Sequence, residues 1–167
     1  FPNDFWLVDG RLALSDETFP KSRPILGSVP VRAADGGWND LDGSAVFPAI
    51  TAFFPGLTDQ SIDNMARVWN PQMSLEDHSN PGVILDTSTQ ERIAHWAEVD
   101  HMSDQDATLP PEEQAKRALL LWPTNVLSHS TTYIVALRGV QNSDGELVEP
   151  SAGFVSLRDG LPSADPL

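Results

Sequence analysis

The chain has 167 residues and no cysteine, and its 24 acidic against 10 basic side chains leave a net charge of −14. That field repels phosphate backbones and anionic headgroups, which argues against a nucleic-acid partner, and the lack of cysteine excludes disulfides, thiolate metal sites and a thiol nucleophile. No apolar run approaches the roughly 20 residues of a membrane-spanning helix, while the length is enough to bury one core without covalent staples.

Fourteen prolines and eleven glycines are spread along the chain and cut it into short segments, which disfavours long helices and suits short strands. Strands are predicted over residues 5–8, 11–14, 25–31, 46–54, 82–86, 93–99, 117–122, 132–138 and 153–157, each bounded by turn-forming residues. The first of these, Phe5, Trp6, Leu7 and Val8, is an apolar segment at the head of the chain. It is either the first strand of its own sheet or a strand that adds to the edge of another molecule.

Residues 33–44 are rich in glycine and aspartate and read as a long loop or hairpin excursion. Within it Asp35, Asn39, Asp40 and Asp42 offer the hard oxygen donors that calcium prefers. The EF-hand register and its later glutamate are missing, so an ordinary polar loop is the simpler reading. Trp38 in the same loop is the exposed aromatic best placed for a binding role.

A short helix is expected over residues 58–69, with Thr58 as N-cap and Ile62, Met65, Ala66 and Trp69 on one buried stripe, and a second over 111–116. Between them, His95, Glu98 and His101 have a His-x-x-Glu-x-x-His spacing. On a strand Glu98 points away from both histidines, so a solvated strand edge is favoured over a zinc site. Residues 117–122 are apolar on both parities and predict a central strand ended by Pro123.

In residues 132–138, Tyr133, Val135 and Leu137 share a face that should line the core, and Asn142-Ser143-Asp144-Gly145 then supplies a tight reversal. Trp96 and Trp122 are expected in the core. The stretch 159–167, rich in proline and aspartate, reads as a tail.

Taken in order, Gly82-Val-Ile-Leu-Asp86, Glu91 to Asp100, Ala118-Leu-Leu-Leu-Trp-Pro123, Thr132-Tyr-Ile-Val-Ala-Leu-Arg138 and Ser143-Asp-Gly145 resemble bacterial immunoglobulin-like domains of secreted and surface proteins. The matching positions are Leu121, Pro123, Thr131 or Thr132, Tyr133, Val135, Leu137, Asp144 and Gly145. Phe1-Pro-Asn-Asp-Phe5, Asp42-Gly43-Ser44 and Ile50-Thr-Ala-Phe-Phe-Pro55 are similar to the leading region of large bacterial secreted proteins, some of them lipase-like. The resemblance implies an all-β, immunoglobulin-like β-sandwich of about eight or nine strands with long loops and one or two short helices. It would form a single domain over residues 1–167, with an N-terminal arm over 1–20.

Chemical motifs do not accompany this framework. No Gly-x-Ser-x-Gly elbow occurs, and there is no Asn-x-Ser/Thr acceptor, so glycan attachment could only be O-linked. The expected role is therefore a non-enzymatic extracellular or cell-surface structural subunit, partnered by copies of itself or by other surface proteins and able to build filaments through Phe5 to Val8. It requires no cofactor, with calcium the one candidate ion. Two further readings remain: an accessory domain at the N-terminus of a secreted ester hydrolase, and a carbohydrate- or calcium-binding surface module. A start at Phe1, without an apolar leader, fits a mature or trimmed chain.

Overall fold

A computed structural model describes residues 7–15, 38–54, 56–101, 117–142 and 144–161, without the side chains of Trp38 and Leu157. Among them are the strands β1 (Leu7–Val8), β2 (Arg11–Leu12), β3 (Ile50–Phe53), β4 (Gly82–Asp86), β5 (His95–Val99), β6 (Ala118–Pro123) and β7 (Tyr133–Leu137). They form three antiparallel sheets: β1 with β2, β4 with β7, and a three-stranded sheet in the order β3-β6-β5. The helices are short, so the described chain has the all-β character expected of it. The predicted strand at 25–31, the predicted helix at 111–116 and residues Phe5, Trp6 and Asp35 lie outside the described residues.

The register of the three-stranded sheet explains its core. Leu121 of β6 lies opposite Ile50 on one side and Ala97 on the other, and Leu119 lies opposite Ala52 and Val99. Side chains alternate along a strand, so one face collects Ile50, Ala97, Val99, Leu119 and Leu121, all buried. β6 is central, as its double apolar parity predicts. Against this face packs β4, whose Gly82, Ile84 and Asp86 are buried while Val83 and Leu85 are half-buried. A Cβ built on Gly82 would stand 2.9 Å from His95 Nε2 and 3.6 Å from a methyl of Leu121. The two sheets therefore meet closely at Gly82, where a larger residue would have to push the His95 ring aside.

The segment between β3 and β4 closes the core from below with Leu57, Ile62 and Met65. Residues 58–69 do not form the expected helix. A 3-10 turn spans Asp59–Ile62, after which the chain leaves the helical path because its polar groups find distant partners. Ala66 N–H donates to Asn80 Oδ1 (2.9 Å), and Ala66 O accepts from Ala97 N–H of β5 (2.8 Å). Ile62, Met65 and Ala66 are buried as anticipated. Trp69 is not; it stands 78% exposed at the tip of a tight turn.

Two other expectations are corrected. Residues 153–157, read as a strand, lie inside a helix, here α2, Ala152–Asp159, because Ser151 opens it: its Oγ accepts from Phe154 N–H (3.2 Å) and its carbonyl from Val155 N–H (3.0 Å). Trp96 and Trp122 are directly paired across β5 and β6, but on the face of the sheet away from the core, where they are half-buried and stacked with ring centroids 6.3 Å apart. A short helix α1, Met73–Glu76, was not anticipated. Its Ser74 Oγ accepts from His95 N–H (3.0 Å) and donates to Pro71 O (2.8 Å), which pins it to the start of β5.

Candidate functional site

Thr132-Tyr-Ile-Val-Ala-Leu137 is β-branched, aromatic and uncharged, the composition that favours an extended, pleated backbone. Its start is fixed by the Tyr133 hydroxyl, which accepts from Ser128 N–H (2.9 Å). Opposite Tyr133 in the register lies Asp86. The Asp86 carboxylate accepts from Ser88 Oγ (2.6 Å), Ser88 N–H (2.7 Å) and Thr89 N–H (3.2 Å). These bonds, the Ser88 hydroxyl first, hold its pKa below the ordinary aspartate value and fasten the turn that follows β4.

Parity decides which side of β7 is used. Thr132 O accepts from Thr87 N–H (3.1 Å) and Arg138 N–H donates to Pro81 O (3.0 Å), so the even-numbered residues face β4. Tyr133, Val135 and Leu137 therefore direct their amides and carbonyls to the other side. No described residue bonds them there. The strand is also bare in its middle, with Ile134 52% and Val135 37% exposed and Ala136 exposed beside them. Tyr133 and Leu137 pack against the core as expected, but Val135, expected beside them, is exposed instead.

The outer edge of β5 is treated differently. Its outward amides at His95 and Ala97 are taken by Ser74 Oγ and Ala66 O, so the segment 66–74 covers it. β4 is likewise flanked on its second side by Ile93 N–H to Ile84 O (2.8 Å) and Asp86 N–H to Glu91 O (2.9 Å). An uncovered, apolar, uncharged strand edge is a template for another strand, and among the described residues β7 has one.

No family model, no curated protein and no solved structure matches the chain. What the site can do must come from its own geometry.

The residues singled out from the sequence separate in space. Leu7 and Val8 form β1, turned back onto β2 through Asp9 and Gly10, both with positive φ (51° and 76°), the conformation an Asp-Gly reversal adopts. Asn39 is engaged with the backbone of Leu14: its Oδ1 accepts from Leu14 N–H (2.8 Å) and its Nδ2 donates to Leu14 O (3.1 Å). Asp40 offers its carbonyl to Arg11 Nη1 (3.1 Å), and Asp42 is exposed. Trp38 opens the 3-10 turn Trp38–Asp40. Among the described residues, no group of three His, Asp or Glu side chains converges as a metal site would require.

His95, Glu98 and His101 likewise do not converge: His95 is buried against Gly82, Glu98 is exposed, and His101 Nε2 lies 3.0 Å from Asp59 Oδ1. The edge that no described residue bonds was missed because the same alternation that identifies β7 as a strand says nothing about which neighbours it acquires. The signal available was the absence of any charge between Thr131 and Leu137.

Proposed function

We propose that this protein is a non-enzymatic structural subunit of an extracellular or cell-surface assembly, joined to copies of itself by strand addition at the outer edge of β7. The observation that carries this reading is the edge: Val135 and its odd-numbered neighbours present amides and carbonyls that no described residue bonds, flanked by exposed Ile134 and Ala136. The strand supplied by the second copy is its N-terminal segment through Leu7 and Val8. β1 is bonded to β2 on one side only among the described residues, and Val8 is exposed. The two patches differ, so the contact is head-to-tail and repetition extends it into a filament. In this reading the β4–β7 pair and the β3-β6-β5 sheet are the facing layers of an immunoglobulin-like sandwich.

Sedimentation velocity and electron microscopy test it, with two variants. Val135→Pro removes an amide hydrogen that points away from β4, leaving the internal ladder intact, and Ile134→Lys places a charge on the exposed side of the edge. The unmodified chain is expected to form oligomers or filaments, and both variants to stay monomeric with an unchanged circular-dichroism spectrum. A chain that remains strictly monomeric at its solubility limit overturns the reading, as does assembly untouched by either variant.

A further inference from the structure

The turn that carries Trp69 is built to hold an aromatic in solvent. Arg67 and Asn70 bridge as an antiparallel pair, closed by Asn70 N–H to Arg67 O (2.9 Å), and leave Val68 and Trp69 at the two-residue tip. Polar and small residues ordinarily fill such a tip; here both are large and apolar, 55% and 78% exposed. The Arg67 guanidinium lies 5.9 Å from the Trp69 ring centroid. Its Nη2 is held by Asp63 Oδ1 (3.1 Å) and Asp59 O (3.3 Å), so the indole rests on an anchored cation.

Beside the indole is a recess of about 270 Å³ bordered by Asp59, Arg67, Val68, Trp69 and the β5 residue Glu98. Asp59 is shared with a second recess of about 450 Å³ bordered also by Thr58, Gln60, His101 and Arg117. The second has the size of a small-ligand cleft, about 300–1,000 Å³, and the first falls just below that range. The walls hold acceptors, the Glu98 carboxylate and the Asp59 carboxylate, whose Oδ1 also meets His101 Nε2 (3.0 Å), and a donor, the Arg67 guanidinium, while Thr58 and Gln60 can do either.

We infer that this trough binds a neutral saccharide, with Trp69 as the stacking platform. A pyranose has an apolar face of C–H groups that suits an indole, and a rim of hydroxyls each needing both a donor and an acceptor, which is what the walls supply. An anionic ligand meets Asp59 and Glu98 within the trough and a chain of net charge −14 around it. An aliphatic ligand leaves those charged walls unsolvated and unpaired. The site is independent of the β7 edge.

The test is an array of neutral oligosaccharides, with sulfated heparin oligosaccharides as the anionic arm, followed by calorimetry on any neutral member that binds. Trp69→Ala is expected to weaken that binding about tenfold and Glu98→Gln several-fold, both with unchanged thermal unfolding because these side chains are exposed. No binding to any neutral oligosaccharide overturns the inference. Binding that Trp69→Ala leaves intact, or binding confined to the sulfated arm, overturns it equally.

Discussion

His95 is buried against Gly82, its Nδ1 3.0 Å from Ile93 O, and burial lowers its pKa below the ordinary imidazole value. The folded chain therefore resists protonating a group that the unfolded chain protonates near 6.5. The stability it protects is complete above that value, falls as pH drops through it, and levels off below the folded pKa. Denaturation midpoints measured from pH 8 to pH 5 should decline, and His95→Gln should flatten the part of that decline lying near pH 6. An equal slope in the variant would assign the decline to the carboxylates. A second residue-scale case is Asn80, whose Oδ1 takes Ala66 N–H and whose Nδ2 donates to Gly82 O (2.6 Å) in a buried setting. Asn80→Ala leaves both backbone groups without partners, at about 1–3 kcal/mol each. Urea unfolding should show the loss; a variant as stable as the original would mean that water replaces the amide.

At the scale of elements, β5 and β7 are the instructive pair. Both read as strands from their alternation, and β4, predicted over 82–86, is observed as Gly82–Asp86. What differs is the second edge. Segment 66–74 lies over β5, while nothing among the described residues bonds the far side of β7. The same distinction separates the tryptophans. Trp96 and Trp122 stack on the outer face of their sheet, with Phe47 6.3 Å from Trp122, and both indole N–H groups are buried without an acceptor among the described residues. Trp96→Phe removes one such orphan donor while keeping a ring for the stack. Its cost should fall short of that expected from lost area, because a buried unpaired donor carries a penalty of about 1–3 kcal/mol. Calorimetric unfolding of Trp96→Phe beside Trp96→Leu checks this, and a phenylalanine variant as unstable as the leucine one would show that the ring contact is immaterial.

For the molecule as a whole, the net charge of −14 opposes any contact between copies. At about 0.1 M salt the screening length falls to about 10 Å, so the proposed self-association should strengthen from low to moderate salt. Sedimentation at graded sodium chloride reads this directly, and assembly that weakens with salt would point to an interface of complementary charge instead. The sequence by itself determined the local facts: where the chain must turn, as at Asn142, whose N–H bonds Glu146 O (2.9 Å) ahead of Gly145 at φ 78°, and which segments alternate, as in β4 and β6. These depend on neighbouring residues alone. The tertiary structure decided that Ala66 turns to Ala97 rather than continuing a helix, that Trp69 is left in solvent, and that no described residue bonds the far edge of β7. Those outcomes depend on which distant amide or carbonyl arrives as a partner, and alternation and propensity carry no record of that choice.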